Sequence, residues 1–234
     1  MNVLIVHAHP EPASFTSALS QAAAEHFRSL GASVEISDLY AMGFDPVASA
    51  RDFSERADAN YLVYALEQRH AAKNGALHPD IQAEIDKITR CDLLVLSFPV
   101  YWYAMPAILK GWIDRVFISG LFYGGRRIFD QGGMRGKRAL VCATLGGRER
   151  MFSAEGIHDD LRDVFRPLLK GTLGYTGFDV LEPFFAYHVP YLDDAVRGAI
   201  LAQWRQLLAD IEAQPLLEMP LTGDYDSHFE TRIR

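Results

Sequence analysis

The chain is expected to fold as an α/β protein with a doubly wound, five-stranded parallel sheet in the order 2-1-3-4-5 and helices on both faces. Three observations predict it. Short apolar runs alternate with longer amphipathic stretches along the whole chain. One run, residues 93–98, is almost continuously apolar, as a parallel strand covered on both faces must be. No internal repeat or low-complexity linker interrupts the alternation. The first strand is expected at 2–7 and the first helix at 14–30, with Phe15, Leu19, Ala22, Phe27 and Leu30 facing inward. Strand two falls at 33–37, followed by a loop over 39–52 and a polar, alanine-rich helix within 54–73. A helix at 80–90 leads into the strand at 93–98, where Pro99 has no N–H for a central ladder and closes the run. Tyr101, Trp102 and Tyr103 follow, and Pro106 opens the next helix as a first-turn proline. Its apolar face is Ile108, Leu109, Trp112, Ile113 and Val116. Strand four is expected at 138–144, helix at 156–172 and strand five at 180–186. A closing helix at 192–211 carries Val196, Ile200, Trp204 and Leu207 on one side. Residues 1–213 then form one domain and 214–234 an extended C-terminal tail.

Composition narrows the function. With 234 residues, 49% of them hydrophobic, the chain can bury a sizeable core. A formal net charge of −7 argues against nucleic acid or an anionic membrane as partner. Only Cys91 and Cys142 are present, so a disulfide framework is not expected and a reducing cytoplasm fits better. The chain opens directly into a strand with no export signal, and the apolar stretch near residue 100 is too broken by Ser97, Pro99, Pro106 and Lys110 to cross a membrane.

Ligands of open α/β sheets sit outside the carboxyl ends of the strands. Three large rings at 101–103 therefore point to a flat aromatic ligand, against the plainer reading of rings that cap a core. The turn after strand one, His7-Ala-His9-Pro-Glu-Pro-Ala-Ser14-Phe15-Thr16, offers a second site. Ser14 fits an N-cap, so the N–H groups of Phe15, Thr16 and Ser17 would face outward as an anion site suited to a pyrophosphate. His9 could donate to a phosphate oxygen. The glycine-rich nicotinamide fingerprint and the Walker lysine are absent. A metal held by His7 and His9 competes, but no cysteine or acidic partner at ligand spacing supports it, and no metal site is assigned. Thr144-Leu145-Gly146-Gly147 after strand four lets backbone approach a heterocycle closely, although such glycine pairs mostly mark turns. Its place beside strand three strengthens it. His158 could carry a proton near a redox ring, or be a surface histidine at a helix start.

These segments resemble the flavin-dependent NAD(P)H:quinone oxidoreductases of the DT-diaphorase type, which have a flavodoxin-like fold. The resemblance runs over nearly the whole chain, through LIVHAHPEPASF, SDLYAMGFDP, LHPDI, FPVYWYAMPAILKGWIDRVF, LGG, EGIH and GFDVLEP. It implies a homodimer with flavin sites across the interface, FAD rather than FMN as cofactor, and NAD(P)H as co-substrate. By position it implies that His9, Phe15 and Thr16 hold the pyrophosphate region. Val100, Tyr101, Trp102 and Tyr103 would line the isoalloxazine, together with Thr144, Leu145, Gly146 and Gly147. Arg197 would lie near the adenine. Tyr123 would reach the partner's substrate pocket beside Trp102 and Tyr103, and His158 would be the catalytic histidine.

Departures from the resemblance are informative. The tyrosine that vertebrate relatives pair with the histidine is Phe152, so their tyrosine–histidine relay cannot operate as drawn. A second pocket tyrosine is Gly125, which should open the substrate site. The stretch around Leu62 is apolar, and the metal site of one branch lacks its ligands. The chain ends at Arg234 without the extension of the other branch, which leaves the choice of NADH or NADPH open. The expected reaction is ping-pong hydride transfer from NAD(P)H to quinones, with nitroaromatic and azo compounds as further acceptors. Two alternatives stand beside it. A flavin-binding ancillary subunit of a potassium-efflux system would be captured by a membrane transporter, and an FMN carrier of the flavodoxin type would accumulate a stable semiquinone.

Overall fold

A computed structural model describes residues 1–231. Four strands make up most of a parallel sheet: β1 (Asn2–His7), β2 (Ser33–Asp38), β3 (Leu93–Pro99) and β4 (Arg138–Thr144). The order is β2-β1-β3-β4 with a fifth position beyond β4, as the alternating pattern predicts. His7 pairs with Asp38 on one side and Ser97 on the other, while β3 and β4 continue together to Pro99 and Thr144. Every residue of β3 is buried.

Strand alternation divides the core in two. Val3, Ile5, Val95 and Cys142 face α1 (Phe15–Ser29) and the C-terminal helix, whereas Leu4, Val6, Leu96 and Val141 face the opposite layer. That layer holds α2 (Tyr64–Asn74), α3 (Pro79–Arg90) and α4 (Ala107–Val116). Both cysteines are free and buried. Within α4, a Cβ on Gly111 would lie 2.1 Å from the Pro46 carbonyl oxygen, so glycine is what lets the 39–52 loop dock on this helix.

The structure corrects several boundaries. The helix expected within 54–73 begins only at Tyr64. Asp58 folds the preceding chain by accepting from Asn60 and Tyr61 N–H, and Glu67 takes the N–H groups of Ala57 and Asp58. The helix expected from 156 starts at Leu161, capped by Asp160. It is broken into α5 (Leu161–Val164) and α6 (Arg166–Leu168), then a π-helical turn over Leu169–Gly174. Pro167 supplies no N–H there to continue a regular ladder. The fifth strand is two pieces, β5 (Asp179–Val180) and β6 (Phe184–Ala186), both parallel to β4. Pro183 cannot donate between them, and Glu182 N–H turns away to Pro215 O. Leu217 N–H in turn reaches Val180 O, so residues 215–217 run beside this break. The last helix is α7 (Asp194–Ala209), with Trp204 and Leu208 buried and Val196 43% exposed. Leu30, the C-cap of α1, is 68% exposed rather than inward, and Pro106 is the N-cap of α4 rather than its first residue. The assigned tail, 214–234, extends past the described residues at its last three positions.

Candidate active site

The turn after β1 is fixed by its own hydroxyls. Ser14 caps α1 by accepting from Ser17 N–H, and Ser17 Oγ donates to Glu11 O at 3.1 Å. Beneath them His7 Nε2 lies 3.0 Å from Ser17 Oγ. Burial, partly opposed by Asp38, holds the His7 imidazole below its ordinary pKa, which keeps it neutral under the helix start. Phe15 and Thr16 occupy the first turn, whose N–H groups have no helical carbonyl to bond. His9 accepts from Glu11 N–H through Nδ1 at 3.0 Å. Its pKa is lowered by burial, against an opposing effect of Glu11, so the neutral ring carries its proton on Nε2.

Across the cleft β3 and β4 end side by side. Val100 N–H bonds Thr144 O, and the Thr144 hydroxyl lies 2.7 Å from that of Thr16, tying the end of β4 to the start of α1. Tyr101 and Ala104 exchange two backbone bonds around Trp102 and Tyr103, whose φ values are 49° and 59°. Two successive left-handed residues make a tight reversal that is costly for non-glycine side chains. It lifts the Trp102 indole to 95% exposure. The Gly146–Gly147 loop is clamped by His188, which donates its N–H to Gly147 O and places Nδ1 3.0 Å from Gly146 O. A Cβ at Gly147 would meet the Phe152 ring at 2.4 Å.

These elements enclose a cleft of about 500 Å³. Of the predicted residues, His9, Phe15 and Thr16 line it from α1, Val100 and Tyr101 from β3, and Thr144, Leu145 and Gly146 from β4, with Arg197 closing one end. Arg197 Nη2 lies 3.4 Å from Val189 O, while its Nε is buried and has no hydrogen-bond partner among the described residues. Trp102, Tyr103 and Gly147 stand outside the lining. His158 is joined to Tyr103, the hydroxyl lying 2.6 Å from Nδ1, and stacks on Phe152. Tyr123 lies elsewhere, half-buried after α4 and 5.8 Å from the Tyr175 ring. Burial, then Tyr175, raises its hydroxyl pKa. Gly125 nearby has φ 58°.

Sequence reasoning missed several lining residues. Ala18 lies one turn beyond Ser14 on the same helical face, a spacing that could have found it. Val189 and Pro190 had no such signal. His188, which stands behind the lining on the Gly146 and Gly147 carbonyls, had no such signal either.

Known proteins share this fold and much of this sequence. The family described as having the flavodoxin-like fold matches residues 1–208. NAD(P)H dehydrogenase (quinone) 1 of Cavia porcellus is 39% identical over 228 residues, covering 97% of this chain and 83% of that protein. Ribosyldihydronicotinamide dehydrogenase (quinone) of Mus musculus is 39% identical over 210 residues, covering 89% and 91%. A Klebsiella pneumoniae protein assigned as a quinone reductase superposes with a TM-score of 0.92 at 33% identity, covering 96% of this chain and 91% of its own. With its fold, its cleft and these relatives in agreement, the chain belongs to the NAD(P)H dehydrogenase (quinone) family of flavodoxin-like oxidoreductases.

Proposed function

We propose that the protein passes two electrons from NAD(P)H to quinones, with FAD as its bound flavin and donor and acceptor using one slot in turn. The observation that carries this reading is the meeting around one cleft of a helix start suited to an anion, Gly146 of the loop after β4 and Tyr101 at the foot of the aromatic turn. When bound, the flavin supplies the two-electron redox chemistry. The residues fit such a group. The N–H groups of Phe15 and Thr16 and the Nε2–H of His9 would take the pyrophosphate. Thr144, Leu145, Gly146 and Gly147 would edge the ring system opposite Val100 and Tyr101, with the backbone donors coming from Gly146 and Gly147, since Leu145 N–H is taken by Ala186 O. The unpaired, buried Arg197 Nε is a donor that stays unsatisfied until a ligand or water meets it. Arg197 lines the cleft with Val189 and Pro190, and a cationic donor there suits the adenine end that FAD has and FMN lacks.

Trp102 and Tyr103 would form the wall on which donor and acceptor rings stack. One aromatic wall admits one planar ring at a time, so the spent donor leaves before the acceptor enters, a ping-pong order. Positioning of this kind is worth roughly 7–11 kcal/mol of barrier. A wide slot, opened by Gly125, would also admit nitroaromatic and azo compounds. His158 would meet the acceptor oxygen, a contribution on the order of 10²–10⁴-fold if it acts as general acid. We further infer a homodimer, with Tyr123 serving the partner's pocket. Tyr101, Trp102, Tyr103, Ile157 and Tyr191 are exposed apolar side chains of the kind an interface covers. Residues 1–213 form the flavin domain in this reading, and the two free cysteines suit a reducing cytoplasm.

The absorption spectrum of the purified protein tests the reading, with mass analysis of the released cofactor and NAD(P)H-driven quinone turnover. A yellow protein that releases FAD and reduces quinones is expected. A colourless protein that takes up no added flavin overturns it, and release of FMN overturns the FAD assignment.

A further inference from the structure

The hydroxyl lost at Phe152 has a counterpart on the other side of His158. Tyr103 Oη lies 2.6 Å from His158 Nδ1, within ordinary hydrogen-bond range, and the two rings meet edge-on at 5.6 Å and 67°. Phe152 lies against the imidazole face at 4.8 Å and 30°. A ring stacked on that face restrains the imidazole but reaches neither of its in-plane nitrogens. His158 N–H is held by Met151 O at 2.9 Å, so backbone, ring face and Nδ1 each have a partner. Tyr103 owes its place to the reversal between Tyr101 and Ala104, where its backbone sits at φ 59°.

We propose that Tyr103 is the positioning residue of His158. Its hydroxyl occupies Nδ1 and leaves Nε2 as the ring nitrogen free to meet an acceptor oxygen. The β3–α4 turn thereby supplies the phenol that the family resemblance places at position 152. This role rests on the quinone-reductase reading. A quinone that receives a hydride gains two electrons and one proton, and needs a second proton to become a neutral hydroquinone. Protonated His158, with Nδ1–H donating to Tyr103 Oη, releases its Nε2 proton to the hydroquinone oxygen. It is left as the neutral Nδ1–H tautomer and regains the proton at Nε2 from water. Throughout, the Tyr103 contact fixes which nitrogen exchanges protons. It also joins the histidine to the turn that carries Trp102, so stacking wall and proton carrier form one unit.

Tyr103→Phe keeps the ring and the turn while removing the contact. Stopped-flow kinetics of the holoenzyme should show the quinone half-reaction slowed roughly tenfold, the scale of one hydrogen bond to a charged group. The NAD(P)H half-reaction, which needs the Tyr103 ring but not its hydroxyl, should slow less than the quinone half-reaction, with the loss in kcat rather than KM. His158→Ala should slow the same half-reaction at least as much, and the double variant no further. In nitrogen-15 spectra of the full-length protein, the His158 Nδ1 resonance should move in Tyr103→Phe. An unmoved resonance, additive losses or a change in KM alone would overturn the role. Wild-type protein that is inert toward quinones but keeps the Tyr103-dependent resonance would instead overturn the quinone-reductase reading, and the role with it.

Discussion

Arg115 shows how single residues hold the scaffold under the site. It is 3% exposed, yet its guanidinium bonds Asp52 Oδ1 at 3.0 and 3.2 Å, Asp80 Oδ2 at 2.9 Å and the Asp45 carbonyl at 2.8 Å. Burial alone would raise the Asp80 pKa, but hydrogen bonds from Arg115 and His78 outweigh it and hold the carboxyl below its ordinary value. The Tyr64 hydroxyl donates to Asp52 at 2.6 Å; burial first, then Asp52, pushes its own pKa far up, so it remains a donor. Removing one partner of such a buried pair strands the other charge. Arg115→Ala should therefore cost about 3–5 kcal/mol in denaturant unfolding. A loss below about 1 kcal/mol would mean that solvent screens the network as it does a surface pair. Since a depressed carboxyl stabilises the fold above its unfolded pKa, the Asp80 contribution should fade as the pH falls below about 4. At this scale the sequence was legible only where partners are neighbours. Ser14 as a cap followed from its place before Phe15, whereas the Tyr103–His158 pair joins residues 55 apart and had no local signature.

Among the elements, β3, the aromatic turn and α4 were readable because their signals are contiguous: an apolar run, a proline stop, a proline restart and a helical stripe. Boundaries failed where a tertiary partner overrode periodicity. The helix expected over part of 54–73 begins only in the second half of that window, because Glu67 and Asp58 claim N–H groups of the first. Strand five looks continuous by hydrophobicity, but Pro183 and the pairing of Glu182 with Pro215 divide it. Gly111 marks a contact that no pattern discloses, the seating of the 39–52 loop on α4. Gly111→Ala pushes a methyl group into Pro46 backbone, which cannot swing aside like a side chain. A loss of about 1–3 kcal/mol is expected, with flavin content retained in the folded fraction. An unchanged melting temperature would show that the loop can lift without cost.

For the molecule as a whole, fold class and strand order were legible, because five successive βα units in one chain leave few topologies. The cleft was legible in outline, since β1, β3 and β4 had to end beside one another. Its far end was not: Val189, Pro190 and Arg197 come from a segment nearly ninety residues or more after Tyr101, and only the assembled sheet brings them to the cleft. Tyr123 marks the same limit in the proposed dimer, because the role proposed for it belongs to an assembly rather than to one chain.

The reversal at the end of β3 gives the protein a built-in optical reporter. Trp112 and Trp204 are fully buried, so the indole of Trp102, bare in the single chain wherever no partner or ligand covers it, should dominate any red-shifted emission. Dyes or nicotinamides that settle against it should quench that component and leave the blue one intact. Trp102→Phe should abolish the response, so that titrating the fluorescence of the native chain counts occupants of the slot without any label.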